Sequence, residues 1–431
     1  SQPSFTGWRA YSMKISFLTL GCRTNQAESS YLSRIAAEKG HDIVPLSDNT
    51  DICVINTCSV TAKADYQSRQ AISRALKNNC KIVVTGCYAE LNGNLIAGKS
   101  NSLRIVENNF KYHIFNDLPI TTSSSLCNSR YHLRHRPTIK VQDGCNNSCT
   151  YCIIPTARGR SRSVAPHVVI DQIIELENSG FEEVVLCGIH LGSYGHDLNI
   201  EYTLAKLLEE ILSSTHKIRI RLSSIEINEL TDHFLNVFHD QRICRHLHIP
   251  LQSGNDSILA LMNRPYTTAS FGNKINTISS LFKNISIGTD VIIGFPSESA
   301  LHFNSIKAYI SDLPFTYLHV FPYSERRGTP ASTFKGKIQD NTKKDRCKEI
   351  SELGRMKKDI FIKNNIGLEH DILIENLTPK GYLGTTSNYI KALIGADLRA
   401  KPGSLIKIRL TAEHVQPVLS FPINISQASC K

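Results

Sequence analysis

Short apolar runs recur along the chain, and the residues between them are spaced either as amphipathic helices or as turns. In the first third, Lys14–Leu20, Ile52–Ile55 and Ile82–Val84 are apolar-rich runs of strand length. Helical spacing over Glu28–Glu38 and Lys63–Lys77 follows the first two. Runs with little alternation mark strands covered on both faces, as in parallel sheets. Residues 13–124 are therefore expected to form a doubly wound parallel α/β domain. Ser1–Ser12 is expected to be a poorly ordered lead-in, with neither the basic nor the apolar stretch of a signal peptide.

The middle of the chain repeats a second pattern. Strand-like runs at Pro137–Val141, Val184–Cys187, Ile218–Leu222, Leu247–Leu251, Ile287–Ile293 and Leu318–Phe321 are mostly separated by helical patterns. The helical stretches are Val168–Asn178, Leu204–Leu212, Thr231–His239, Phe271–Phe282 and Ala300–Ser311. Alternating β/α units with right-handed crossovers predict a parallel sheet curled into a central partial (β/α)6 barrel, over 131–363. From about Ile366 the pattern changes to short β segments broken by Gly, Pro and Asn. Asp371–Ile374, Gly381–Thr385, Tyr389–Leu393, Leu405–Leu410 and Val418–Phe421 predict a small β-barrel within 366–425.

Cysteine usage narrows the chemistry. The 431 residues include 13 cysteines, and an odd count in a chain read as unexported argues for a reducing, cytoplasmic setting over a disulfide framework. No apolar run approaches the roughly 20 residues of a membrane-spanning helix, so no membrane partner is expected. Cys145, Cys149 and Cys152 form a C-x3-C-x2-C array in DGCNNSCTYCIIPTARG. Three thiolates so close suit an iron–sulfur cluster with one open iron, or a zinc site completed from a distance. Three further cysteines stand just past strand ends: Gly21-Cys22, Thr57-Cys58 and Gly86-Cys87. In doubly wound sheets ligand sites form at the carboxyl ends of the strands, so these three could share a second cluster, or be ordinary buried thiols. Polar residues also follow most strands of the central sheet: Gly188-Ile189-His190, Ser223-Ser224-Ile225-Glu226 and Gln252-Ser253-Gly254, with Asp290 inside the fifth strand.

Charge points outward to an anionic partner. Forty-nine Lys and Arg against 38 Asp and Glu leave +11. Arg130, Arg134, Arg136, Lys140, Arg158, Arg160 and Arg162 bracket the C-x3-C-x2-C array, and a second basic stretch spans 335–365. Basic residues around a reactive centre suit a phosphate backbone, although the 335–365 stretch reads equally as a solvated face.

These motifs carry a resemblance. C-x3-C-x2-C followed by parallel α/β units resembles the radical S-adenosylmethionine (SAM) enzymes. TLGCRTNQAES, VINTCSVTAKAD and VTGCYAE resemble the three cysteine motifs of the methylthiotransferase N-terminal domain. HLHIPLQSGND, TDVIIGFPSES and HVFPYSERRGTPA are similar to that family's core, with Cys187 in place of a hydroxyl residue and Ser297 in place of a glycine. VVLCGIHLGSYG with NTCSVT resembles the branch that methylthiolates C2 of N6-threonylcarbamoyladenosine at position 37 of tRNA. GYLGTTSNYIKALI resembles the TRAM domain, an RNA-binding β-barrel.

The resemblance implies two [4Fe–4S] clusters. The cluster on Cys145, Cys149 and Cys152 would cleave SAM to a 5′-deoxyadenosyl radical, with Tyr151 near the adenine. The cluster on Cys22, Cys58 and Cys87 would supply the sulfur, methylated by a second SAM. Gly188, Ser224, Gln252 and Asp290 are the further SAM contacts expected. The implied partners are the tRNA anticodon stem-loop, a low-potential electron donor protein and a sulfur source. His190 and Arg327 are candidates for the threonylcarbamoyl carboxylate by position. Methylthiolation of isopentenyladenosine 37 or of a ribosomal protein aspartate, and a non-catalytic RNA-binding protein with structural metal sites, are the competing readings.

Overall fold

A computed structural model describes residues 12–116, 118, 135–198, 202–395 and 400–419. They fall into two compact units, and residues 152–160 belong with the N-terminal one.

The first unit is a five-stranded parallel sheet. Its strands are β1 (Lys14–Thr19), β2 (Asp42–Ile43), β3 (Ile52–Thr57), β4 (Lys81–Gly86) and β5 (Leu103–Ile105), in the order β2-β1-β3-β4-β5. Side chains alternate across a strand, so the apolar runs feed two cores at once. Ile52, Val54 and Val83 pack on one side with Ile15 and Leu32. Cys53, Ile55, Ile82 and Val84 pack on the other with Ile72. The connecting helices are α1 (Arg23–Glu38), α2 (Ala62–Ala75) and α3 (Cys87–Ile96), and α4 (Ile154–Arg158) comes from the 152–160 segment. Helix α1 begins five residues before the expected Glu28, because its first turn carries polar residues that are themselves buried, Thr24 and Asn25 among them.

In the second unit, β6 (Thr138–Lys140), β9 (Glu183–Cys187), β10 (Arg219–Leu222), β11 (His246–His248), β12 (Ser286–Ile293) and β13 (Tyr317–Pro322) lie side by side in chain order, all parallel. Between β10 and β11 the pairing thins to isolated parallel bridges, Ile220 with Ile243 and Ser224 with His248. A short antiparallel pair, β7 (Gln142–Asp143) with β8 (Arg162–Ser163), flanks the cysteine loop. Helices α5 (Pro166–Asn178), α6 (Leu204–Ser214), α7 (Asp232–Val237), α8 (Asp256–Leu261), α9 (Thr268–Leu281) and α10 (Ala300–Asp312) fill the crossovers. One continuous apolar core runs beneath these strands and helices.

The basic stretch at 335–365 is mostly one 26-residue helix, α11 (Asp340–Asn365), that buries only Ile350, Gly354, Ile362 and Asn365. That narrow stripe is why apolar periodicity did not reveal it. Much of its charge is spent within the fold. Arg346 pairs with Glu298, Lys307 reaches Glu349, and Lys357 donates to the carbonyls of Ser311 and Leu313. Beyond it, β14 (Glu369–Thr378), β15 (Gly381–Thr386), β16 (Lys391–Ile394) and β17 (Leu405–Arg409) make an antiparallel sheet in the order β16-β15-β14-β17. The strand expected at Val418–Phe421 is corrected: Val418 and Leu419 end a helix, α12 (Ala412–Leu419), and the two residues after them lie outside the described residues.

Among the described residues no helix is long and apolar enough to cross a membrane.

Candidate metal centres

In the first unit, three parallel strands deliver one cysteine each to the same edge. Cys22 caps α1 just after β1, Cys58 follows β3, and Cys87 opens α3 directly after β4. Two glycines make this approach possible. Gly21 adopts φ +92°, and a Cβ there would sit 2.5 Å from Cys58 Sγ. Gly86 adopts φ +94°, where a Cβ would lie 2.3 Å from the Thr57 carbonyl. Both positions combine a left-handed backbone with no room for a side chain, which only glycine meets.

The cysteine loops are tied to one another. Asn25 Nδ2 donates to the carbonyls of Leu20 (2.6 Å) and Thr57 (3.0 Å), joining the ends of β1 and β3. Thr57 Oγ1 donates to the Thr85 carbonyl at 2.6 Å, joining β3 to β4. Ser68 of α2 both accepts from Cys58 N (3.2 Å) and donates to its carbonyl (2.9 Å). Burial pushes the Cys58 thiol up to about 12, and the neighbouring Cys22 and Cys87 push it the same way. Cys87 is also raised by burial, against a pull downward from Arg158. Two buried thiols whose ionisation is opposed by burial and by their cysteine neighbours, beside the partly exposed Cys22, form a donor set that a thiophilic cation would relieve. The residues fit an iron–sulfur cluster.

The C-x3-C-x2-C array is different in kind. Cys145 and Cys149 lie in the loop after β7, and Cys152 starts the 152–160 segment; all three are partly exposed. Backbone N–H of Asn147 donates to Cys145 Sγ at 3.4 Å, and His190 Nδ1 lies 3.6 Å from the same sulfur. His190 is paired through Nε2 with Glu229. Burial pulls its basicity down, but the contacts with Cys145 and Glu229 outweigh this and hold it at about 10. Arg264 Nη1 donates to Cys149 Sγ at 3.2 Å, while its Nη2 pairs with Glu226 and its Nε bonds Tyr266 Oη at 2.9 Å.

The expected cofactor contacts sit at neighbouring strand ends. Gly188 packs on Gln142, whose Oε1 would be 2.8 Å from an added Cβ. Gln142 in turn accepts from His190 N and donates to the Gly144 carbonyl, both at 2.8 Å, so it braces the cysteine loop. Ser224 is exposed and bridges to His248. Gln252 stands at φ +66°, with its N–H on the Asp290 carbonyl (2.8 Å) and its carbonyl taking Ile292 N (2.8 Å). Tyr151 meets Phe295 edge-on at 6.4 Å.

Asp290 is the centre of a cluster that sequence reasoning missed. His248 Nε2 lies 2.9 Å and His319 Nδ1 3.2 Å from its Oδ1. Burial would raise the Asp290 carboxyl, but the two histidines outweigh it and hold it well below the usual range. The three ligand atoms lie within 4.8 Å of one another. Strand alternation supplied the missing signal, since His248, Asp290 and His319 occupy adjacent strands and register pairs Asp290 with His319.

Several expected phosphate-binding residues are otherwise engaged. Arg158 is fully buried on Glu28, Arg136 pairs with Glu183 and Glu375, and Lys140 pairs with Asp143. Arg160 and Arg162 are exposed, and Arg130 and Arg134 lie outside the described residues. Of the two candidates for the threonylcarbamoyl carboxylate, His190 contacts Cys145 and Glu229, and Arg327 is exposed.

Comparisons with known proteins agree with this division. Residues 14–106 match the family described as Uncharacterized protein family UPF0004, and residues 139–309 match the Radical SAM superfamily. The chain is 38% identical to the threonylcarbamoyladenosine tRNA methylthiotransferase MtaB of Aquifex aeolicus, covering 84% of this chain and 93% of that protein. It is 34% identical to the Bacillus subtilis protein of the same name, over 92% and 93% of the two chains. A tRNA-2-methylthio-N(6)-dimethylallyladenosine synthase of Syntrophus aciditrophicus is 30% identical over 86% of each. Among solved structures, the cobalamin-dependent SAM radical enzyme OxsB with aqua-cobalamin and SAM bound aligns with TM-score 0.50 and 10% identity. That alignment covers 80% of this chain and 56% of OxsB, and speaks to the fold alone.

Proposed function

The chain belongs to the threonylcarbamoyladenosine tRNA methylthiotransferases of the radical SAM superfamily, and from that membership we propose how its residues divide the work. The enzyme methylthiolates N6-threonylcarbamoyladenosine in tRNA, and the target atom is adenine C2 at position 37. That C–H bond is strong and carries no acidic proton, so general acid–base chemistry cannot open it and a carbon radical can. Bound at their cysteines, the clusters supply an electron to SAM and the sulfur that is transferred.

Cys145, Cys149 and Cys152 hold the cluster that takes SAM, and Cys22, Cys58 and Cys87 hold the second. His190 and Arg264 orient Cys145 and Cys149 through contacts to their sulfurs. Tyr151, Gly188, Ser224, Gln252 and Asp290 contact SAM: Gly188 leaves room for Gln142 beside it, and the turned backbone of Gln252 fixes the strand end beside Asp290. A residue held at positive φ is tolerated where the site gains from it.

Domain roles follow the same division. Residues 13–124 are the methylthiotransferase N-terminal domain and 131–363 the radical SAM core, with its six parallel strands as a partial barrel. Residues 366–425 are a TRAM-like domain that grips the anticodon stem-loop, where a loop base can be splayed into a pocket. A low-potential electron donor protein and a sulfur source complete the reaction in the cytoplasm.

Two cysteine triads in one chain, each with an arginine donating to a cysteine sulfur, are the observation that carries this reading. The test is purified enzyme given tRNA with and without the threonylcarbamoyl group, with nucleosides read by mass spectrometry. Methylthiolation should require the group. Equal turnover on both, or turnover only on isopentenyl-bearing tRNA, overturns the substrate assignment. Zinc without sulfide in anaerobically prepared protein overturns the enzyme reading altogether.

A further inference from the structure

Among its described residues the first unit buries three charged side chains, Glu28, Lys111 and Arg158, each at most 1% exposed. Taking such ions out of water costs several kcal/mol apiece unless each finds good partners. The Glu28 carboxylate finds them: Arg158 Nη1 at 2.8 Å, Lys111 Nζ at 2.5 Å and Asn56 Nδ2 at 3.2 Å. A carboxylate and the Lys111 ammonium alone would make a neutral pair. Arg158 adds a second cation, and its other donors turn to the cysteine edge. Its Nε donates to Cys87 Sγ at 3.3 Å, and its Nη2 donates to Asn25 Oδ1. Asn25 is the residue that ties the Cys22 and Cys58 loops, and its Oδ1 lies 3.8 Å from Cys22 Sγ.

The guanidinium is thus held at several points. Glu28 and Asn25 hold its two terminal nitrogens, α4 fixes its backbone, and the Nε–H is aimed at sulfur. A lysine could carry the charge but not this fork of directed donors. A charge-assisted hydrogen bond to a thiolate strengthens as negative charge builds on the sulfur. Hydrogen bonds to cluster sulfurs are one of the protein's means of setting a cluster's reduction potential.

We propose that Arg158 is a positioning residue for the cluster on Cys22, Cys58 and Cys87, holding Cys87 Sγ in a charge-assisted hydrogen bond that raises that cluster's reduction potential. The proposal rests on the reading of these three cysteines as cluster ligands. Helix α4, which starts two residues after Cys152, therefore ends in a residue that serves the other cysteine set.

The experiment uses the full chain carrying Cys145→Ala, Cys149→Ala and Cys152→Ala, reconstituted anaerobically so that only the second cluster can form. Iron and sulfide analysis comes first, with about four of each per chain expected for one [4Fe–4S] cluster. A chain without iron and sulfide overturns the ligand reading and the proposal with it. With the cluster present, EPR-monitored titration with dithionite compares the parent with Arg158→Gln and Arg158→Lys. Arg158→Gln should lower the ratio of reduced to oxidised cluster at fixed potential about tenfold, or ~59 mV for one electron, with Arg158→Lys restoring part of it. Unchanged potentials in cluster-bearing variants overturn the proposal while leaving the ligand reading intact. Should either variant lose its cluster, the parent labelled with 15N-arginine decides. Pulsed EPR of its reduced cluster should show coupling to arginine nitrogen, and the absence of that coupling overturns the proposal.

Discussion

The two cysteine sets solve one problem by opposite routes. Cys145, Cys149 and Cys152 are neighbours in sequence and partly exposed, and side chains from elsewhere in the second unit contact the sulfurs of Cys145 and Cys149. Cys22, Cys58 and Cys87 are separated by 36 and 29 residues and meet only because a parallel sheet brings its strand ends to one edge. The loop set needs outside bracing, which Gln142, His190 and Arg264 provide. The sheet set needs room, which Gly21 and Gly86 provide, and Arg158 donates a hydrogen bond to the sulfur of Cys87. All three loop cysteines are partly exposed, as suits a centre that must admit a cofactor, whereas the sheet edge buries Cys58 and Cys87 and leaves only Cys22 partly exposed.

The sharpest way to break this comparison is to remove ligands one set at a time. Replacing Cys145, Cys149 or Cys152 with Ala should abolish reductive SAM cleavage, read as 5′-deoxyadenosine release. Replacing Cys22, Cys58 or Cys87 should leave that release measurable and stop methylthiolation. Normal release by Cys145→Ala protein would mean that the two sets have been assigned the wrong way round or serve no separate roles.

A buried cation cluster that touches no ligand cysteine supplies the control. Glu183, on β9, pairs with Arg136, Arg219 and Arg221, and the arginines give further donors to backbone carbonyls of Asp371, Thr386 and Ser387. Glu183→Gln should cost about 3–5 kcal/mol of stability at pH 7, because it leaves buried arginines without their carboxylate. Urea unfolding measures the loss, and the EPR signals of chains that remain folded should not change. Burial alone would raise the Glu183 carboxyl, but Arg221, Arg219 and Arg136 together hold it well below the usual range. A depressed carboxyl contributes stability above its unfolded value of about 4.3, and that contribution is lost as pH falls further. The gap between wild type and Glu183→Gln should therefore be full at neutral pH and narrow below about pH 4. A gap that widens in acid would refute the assignment of charge.

Next in size is the loop set's own arginine. Arg264→Met should reduce iron retention or SAM cleavage by roughly 10–100-fold, the usual cost of losing a partner that orients a metal ligand. An effect equal to that of Cys149→Ala would show that Arg264 does more than orient. The smallest effect concerns Ser297, where the family motif has glycine. Ser297 stands at φ +69°, and its N–H donates to the Gly336 carbonyl at 2.8 Å. A left-handed backbone costs a side-chain-bearing residue about 1–2 kcal/mol, partly offset by glycine's extra freedom when unfolded. Ser297→Gly should therefore stabilise the chain by about 0.5–1 kcal/mol in thermal or urea unfolding, with SAM cleavage unchanged.

Which parts were legible in the sequence follows from the range of each interaction. The six parallel strands of the central unit and the three cysteine-bearing strands of the first were visible as apolar runs, because burial on both faces is written directly into composition. C-x3-C-x2-C was visible because its cysteines are chain neighbours. Helix α11 escaped notice because its buried stripe is only a few residues wide, and Val418–Phe421 was misread because a short apolar run has no decisive period.

By itself, then, the order of residues determined the main parallel strands, the spacing of the cysteines and the glycines that precede Cys22 and Cys87. Only the tertiary structure decided what each charge is for. Arg158, Arg136 and Lys140 stand in one basic stretch of sequence and look alike there. In the fold the first is buried against Cys87 and Glu28, the second against Glu183 and Glu375, and the third against Asp143. Composition counts charges, whereas a charge's role depends on the distance to its partner and on how much water lies between them, and the folded chain alone sets both.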